Sequence, residues 1–182
     1  MKLKPLALST TLILASAHPI AAAAEDEPAQ ARPPEMASAN YLIGTWQCAH
    51  TVGNFSGTYR TTYSWTLGDA WLRQTWDFPA QMAEGRNQAA ITAETLMRYD
   101  ERRHAWVRFF ANSLGQHFEI RMTDRPDGWS FKYVSFFPRT TPETPDPDAI
   151  FTKRSDTEYT VDGPTYPQNN VQVTEHHRCH KL

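Results

Sequence analysis

The chain has 182 residues, 40% of them hydrophobic and 12% aromatic, with 20 acidic side chains against 18 Lys and Arg for a formal charge of −2. That apolar content suffices for a packed core and excludes a largely disordered chain, and the length suits one domain. The basic residues are scattered rather than striped, which excludes a nucleic-acid surface.

Lys2 and Lys4 precede an apolar run from Leu6 to Ala17, and Ala21 to Ala24 stand before Glu25. This is the layout of a cleavable secretory signal over residues 1–24, with Ala22-x-Ala24 as the cleavage box. A retained anchor is the rival, but a span needs about 20 apolar residues. Thr10, Thr11, Ser16, His18 and Pro19 interrupt this one. No later run is apolar enough to cross a bilayer, so the mature chain is expected to lack a membrane span and to be periplasmic or secreted, where disulfides persist. Residues 25–40, rich in Pro, Ala and acids, show no apolar periodicity and read as a disordered leader. The folded domain is expected over residues 41–182.

From Tyr41 the chain alternates apolar and polar residues in short runs broken by turn residues, the pattern of an all-β meander. The runs are Tyr41 to Thr51, Gly57 to Leu67, Trp71 to Phe78, Ala89 to Tyr99, Ala105 to Ala111, Gln116 to Thr123 and Trp129 to Phe137. Gly53-Asn54, Gly68-Asp69 and Asp127-Gly128 supply reversals. Pro79 to Gln88 reads as a polar loop, and Pro138 to Asp148, with four prolines, as an exposed loop at a barrel mouth. Ile150 to Ser155 with Glu158 to Asp162 forms a short hairpin, and Val171 to His180 is the last strand. That is about ten strands, with no helical spacing sustained and no internal repeat.

Cys48 and Cys179 are the only cysteines, one in the first run and one in the last. A bridge needs Cα atoms within about 4.4 to 6.8 Å, as on facing positions of adjacent strands. A bridged pair makes the first and last strands neighbours, and the sheet then closes into a barrel without exposed edges. Two unpaired thiols are the alternative.

Gly44-Thr45-Trp46 near the start of the first strand, followed by a meander that closes, resembles the calycin superfamily, whose lipocalin branch carries a Gly-x-Trp there. More of the chain resembles a family of exported bacterial calycin-like barrels of unknown function. The matching residues are Tyr41 to Cys48, Trp71-Leu72-Arg73-Gln74, Tyr99-Asp100 before Trp106-Val107-Arg108, and Cys179-His180-Lys181. This resemblance implies a closed antiparallel barrel and an exported chain, with no settled activity. Nitrobindin, a ten-stranded haem barrel, is a more distant similarity through the same Gly-x-Trp; it implies haem held by one inward histidine on a late strand. The chain departs from it after Trp46, where Gln47-Cys48-Ala49-His50 replace further glycines.

Alternate strand residues face opposite sides, so parity selects the lumen. With Trp46 and Cys48 inward, Cys179 brings Val171, Val173, Glu175 and His177 to the same face. Tyr59, Tyr63 and Trp65 share one face of their strand, as do Leu72, Gln74, Trp76 and Phe78. Phe118, Ile120 and Met122, with Trp129, Phe131 and Tyr133, extend the set. The expected function is the binding of a small apolar or aromatic ligand by Trp46, Tyr59, Tyr63, Trp65, Gln74, Trp76, Phe118, Phe131, Tyr133, Glu175 and His177. The alternative is a structural or protein-interaction barrel whose core these rings fill.

His176 and His180 lie too far apart on a strand to clasp a metal ion, so no metal site is expected. Glu175 beside His177 is the one acid/base pair in view. No Gly-x-Ser-x-Gly elbow, phosphate loop, His-Glu-x-x-His or Cys-x-x-Cys is present, which leaves the chain without a catalytic signature.

Overall fold

A computed structural model of the chain describes residues 32–83, 86–137, 149–168 and 171–182. The expected signal, residues 25–31 of the leader and the loop from Pro138 to Asp148 lie outside the described residues. The strands are β1 (Gly44–Val52), β2 (Phe55–Thr66), β3 (Trp71–Phe78), β4 (Gln81–Ala83), β5 (Arg86–Gln88), β6 (Ile91–Asp100), β7 (Ala105–Asn112), β8 (His117–Arg125), β9 (Gly128–Phe137), β10 (Ala149–Lys153), β11 (Glu158–Gln168) and β12 (Val171–Lys181).

Ten of them form a closed antiparallel barrel in the order β1-β12-β11-β10-β9-β8-β7-β6-β3-β2, and β4 pairs with β5 alone. The all-β closed meander expected from the alternation is therefore present, and its calycin-like layout is consistent with the resemblance. β1 and β12 complete the ring with Cys48 opposite Cys179, which are bridged across a Cα separation of 4.0 Å and 131 positions of sequence. Directly opposed antiparallel residues lie about 4.5 to 5.5 Å apart and this pair is drawn slightly closer, so the disulfide locks the seam that closes the barrel.

Two readings are corrected. Residues Pro34–Leu42, expected to be leader and then the start of the first strand, form a 3₁₀ helix, and β1 begins only at Gly44. Met36, Ala39 and Leu42 are fully buried at intervals of three, the period of that helix, and join the core cluster. A stripe one small or flexible residue wide leaves little trace in composition. β11 also runs to Gln168, well past Asp162, through Gly163, Pro164 and Pro167. Its pairing with β10 ends at Asp162, so beyond that point it hydrogen-bonds only to β12 among the described residues, and prolines are tolerated on a free edge. The loop after β3 contains the small β4-β5 ladder.

The 3₁₀ helix closes one end of the barrel. There the Leu42 carbonyl accepts from Trp46 Nε1 at 2.7 Å, and Lys181 Nζ stands 5.6 Å from the Trp46 ring while donating to the Tyr41 carbonyl. Lys181 thus caps Trp46, while Arg178 faces out to Glu158. Gly128 turns the chain into β9 with φ 148°, where a Cβ would stand 2.1 Å from the Phe151 carbonyl oxygen, so no other residue fits.

Candidate functional site

Burial divides the lumen in two. Toward the helix-closed end, Trp46, Tyr99, Trp106, Trp129, Phe151 and Tyr159 are buried and packed ring to ring, with Trp46–Tyr159 at 4.8 Å, Phe151–Tyr159 at 4.5 Å and Trp106–Trp129 at 5.5 Å. This half is filled. Toward the opposite end, Trp76, Phe78, Phe110, Phe118 and Tyr133 face inward yet keep partial exposure. Phe110 stacks on Phe118 at 4.2 Å and Tyr59 on Phe78 at 4.4 Å along the walls.

Between the halves sits Arg108. Trp106, Arg108 and Phe110 share the inner face of β7, so the strand's alternation drives a guanidinium into the lumen, where Arg108 retains 9% exposure. Its Nη2 donates to Gln74 Oε1 at 2.9 Å. Gln74 Nε2 donates to Thr61 Oγ1 at 3.0 Å, and Thr61 donates to the Thr75 carbonyl at 2.7 Å, a chain that turns the Gln74 oxygen toward the guanidinium. The cation lies 5.5 Å from the Trp76 ring and 5.6 Å from that of Phe131. Its Nε has no hydrogen-bond partner, and no carboxylate among the described residues pairs with it. Burial pushes the hydroxyls of Tyr59, Tyr63, Tyr133 and Tyr159 up from the usual tyrosine range, and the Arg108 charge opposes this at all four. These hydroxyls are therefore neutral and do not balance the cation.

A second cluster forms along the disulfide seam toward the partly exposed end. The register that faces Cys48 with Cys179 also faces His50 with His177, and Glu175 lies two residues further on the same inner face. Nε2 of His50 and Nε2 of His177 both reach Glu175 Oε1, at 2.9 and 3.0 Å, and the two imidazoles stack at 4.6 Å. A carboxylate only accepts, so each Nε2 carries a proton in this arrangement. Burial pushes the Glu175 carboxyl up, but the hydrogen bonds and charges of His177 and His50 outweigh it and hold the group well below the usual carboxylate range. His177 Nδ1 lies 2.9 Å from the Tyr59 hydroxyl. The bulge in β11 between Asp162 and Thr165 sets Gly163 against Glu175, where a Cβ would come within 2.9 Å of the Glu175 Cβ.

The residues expected from parity are distributed over this frame. Tyr59, Gln74, Trp76, Phe118, Tyr133, Glu175 and His177 line the middle and the partly exposed half; Tyr63 and Phe131 lie at the boundary. Trp46 is in the filled half, and Trp65 sits toward the closed end beneath the Arg32 guanidinium, 3.8 Å from its ring centroid. His176 faces outward to Asp162 at 2.8 Å, and His117 stacks outside on Phe137. Both ring nitrogens of His177 are engaged, Nδ1 with the Tyr59 hydroxyl and Nε2 with Glu175. Sequence reasoning missed Arg108 and His50. Parity from Trp106 would have turned Arg108 inward, and the Cys48–Cys179 register, continued two residues, would have set His50 opposite His177.

A concavity of about 640 Å³ lies on the outer face of β2, β3, β6 and β7, where Arg73 and Glu94 already pair at 2.8 Å. Among the described residues, no helix is long and apolar enough to cross a membrane.

No family model matches the chain, and no curated protein matches it in sequence. Solved structures do. The crystal structure of Rv2717c from M. tuberculosis is similar with a TM-score of 0.52 at 13% identity, over 84% of this chain and 99% of that one. At that identity the likeness is one of fold: both chains build the same kind of barrel.

Proposed function

We propose that this protein is a ligand-binding barrel that takes a small apolar or aromatic anion into the partly exposed half of its lumen, with the anionic head on Arg108. The observation that carries this reading is a buried guanidinium with an unpartnered Nε and, among the described residues, no carboxylate paired with it. Such a charge is expensive to keep unless an anion joins it, and Arg presents two donors side by side to a carboxylate or sulfonate. Trp76, Phe110, Phe118 and Tyr133 supply apolar walls for the body of the ligand, and Gln74 holds the guanidinium in place. The filled half supports the alternative of a purely structural barrel, but that alternative gives Arg108 no role.

The protein is also proposed to be exported, as a member of the calycin-like family it resembles. The disulfide and the signal-like N-terminus support this placement.

The test is a fluorescence titration with two probes of one ring skeleton, the anionic anilinonaphthalene sulfonate and uncharged phenylnaphthylamine. The sulfonate is expected to bind at least tenfold more tightly, and Arg108→Met to erase that preference. Equal binding of the two probes, or a preference that survives Arg108→Met, would sink the proposal.

A further inference from the structure

We propose that His50, Glu175 and His177 form a binding site for a divalent first-row transition ion of the zinc or iron(II) class. Two imidazoles and one carboxylate are the donor set that suits these ions, and three protein ligands leave coordination positions free. The three donor atoms lie within 4.8 Å of one another, converging on Glu175 Oε1, as groups around one ion must. Nothing has to be carried to the site from a distant loop. His50 and His177 stand one same-face step from the disulfide and Glu175 two, so their spacing is set by the sheet register and held by a covalent cross-link.

The surroundings have the features of a metal site beyond its ligands. A ligating histidine usually hydrogen-bonds through its other ring nitrogen, which fixes the tautomer. Tyr59 stands at 2.9 Å from His177 Nδ1 to do so. A hydroxyl both donates and accepts, so it can serve either tautomer. In the ion-free arrangement the His177 proton is on Nε2 and Tyr59 donates to Nδ1. Binding would require both Nε2 atoms to give up their protons: His177 and His50 would each take the tautomer protonated at Nδ1, the His177 Nδ1–H would donate to the Tyr59 hydroxyl, and the two Nε2 lone pairs would face the metal. Gly163 leaves the room in which Glu175 sits, and a side chain there would push it off the histidines. His50 and Glu175 keep side-chain exposures of 14% and 32%, so an ion has a path from solvent.

This site is separate from the Arg108 charge, which lies on β7 across the lumen. A metal-bound ion and Arg108 would, however, present two positive centres inside one barrel, which favours the same anionic class of ligand.

The experiment uses the disulfide-bonded chain, stripped with EDTA and titrated with Co²⁺ alone, followed by d–d absorption and competition with Zn²⁺. One ion per chain is expected, displaced by Zn²⁺. Glu175→Gln keeps the side chain's shape while removing its charge, and it is expected to weaken binding at least tenfold, as is His50→Gln. Tyr59→Phe should weaken it by about tenfold or more. His176→Gln, on the outer face, is expected to leave it unchanged. Thermal unfolding in EDTA checks that each variant is folded, and if one histidine variant is not, Glu175→Gln with His176→Gln still decides the matter. The absence of saturable binding by the folded chain would overturn the proposal. So would an affinity unmoved by Glu175→Gln, or one lost with His176→Gln.

Discussion

Arg108→Met tests whether the buried guanidinium serves the barrel or a ligand, because the two roles predict stability changes of opposite sign. Arg108 is 9% exposed, donates one side-chain hydrogen bond, to Gln74, and leaves Nε unpartnered. Burying an ion this far costs several kcal/mol even after relaxation. Against that stand a hydrogen bond from a charged donor, about 1.5 to 3 kcal/mol, and two distant ring contacts of about 0.5 kcal/mol each. Methionine has similar length, fills the space and needs no partner, so the substitution is expected to change stability by between about 0 and +2 kcal/mol. For a domain of this size that is a rise in Tm of up to about 6 °C. Adding Gln74→Leu removes the acceptor left behind and should raise Tm further. In the same samples, affinity for anilinonaphthalene sulfonate is expected to fall ten- to a hundredfold, about 1.4 to 2.8 kcal/mol. Calorimetry and dye titration read both quantities. A structural arginine would instead cost about 3 to 5 kcal/mol on removal, and a Tm lowered by about 9 °C or more would refute the reasoning.

Removing the bridge by Cys48→Ala with Cys179→Ala opens a loop of 131 positions and should cost about 5 kcal/mol in the chain-entropy account, read as a lowered urea midpoint; a loss under about 1 kcal/mol would show that the strand pairing closes the barrel unaided. Gly163→Ala places a methyl 2.9 Å from the Glu175 Cβ, so a loss of about 1 to 3 kcal/mol and weaker Co²⁺ binding are expected together; Co²⁺ affinity equal to wild type would detach Gly163 from the cluster. Asp100 accepts from the backbone of Arg102 and Arg103 and from the Arg103 guanidinium, which outweigh its desolvation and lower its pKa in the folded state. Its contribution is therefore present above the unfolded carboxylate range and lost as pH falls below about 4, so the stability gap between wild type and Asp100→Asn should narrow on acidification; a gap that widens would reverse the sign. Intact mass of the exported protein is expected to begin at Glu25 and to show the disulfide's two-hydrogen deficit; a retained Met1 would remove the signal.

Local signals account for most of the barrel. Alternation from Gly57 through Tyr133 marks strands because a half-buried sheet imposes a period of two, and Asp127-Gly128 marks a reversal because few residues accept that backbone. Those signals fail where structure depends on something distant. Pro34–Leu42 carries no amphipathic stripe of strand or α-helix, and it is ordered only because the barrel end offers a surface for Met36, Ala39 and Leu42. Pro164 and Pro167 look like strand breakers until it is known that, among the described residues, β10 pairs with β11 only as far as Asp162.

By itself the sequence determined which side chains of a strand share a face, because parity along a strand is local, and it offered one closing seam, because two cysteines admit one pairing if they bridge. Trp46, Tyr59, Tyr63, Gln74, Trp76, Glu175 and His177 were all legible on that basis. Which of them meet was decided by tertiary structure. His50 gains Glu175 and His177 through the register of β1 on β12, and Arg108 meets tyrosines, tryptophan and Gln74 rather than an acid among the described residues. Facing is a property of one strand, whereas meeting is a property of pairs of strands and of the direction in which the ring closes. No window of sequence contains both members of such a pair.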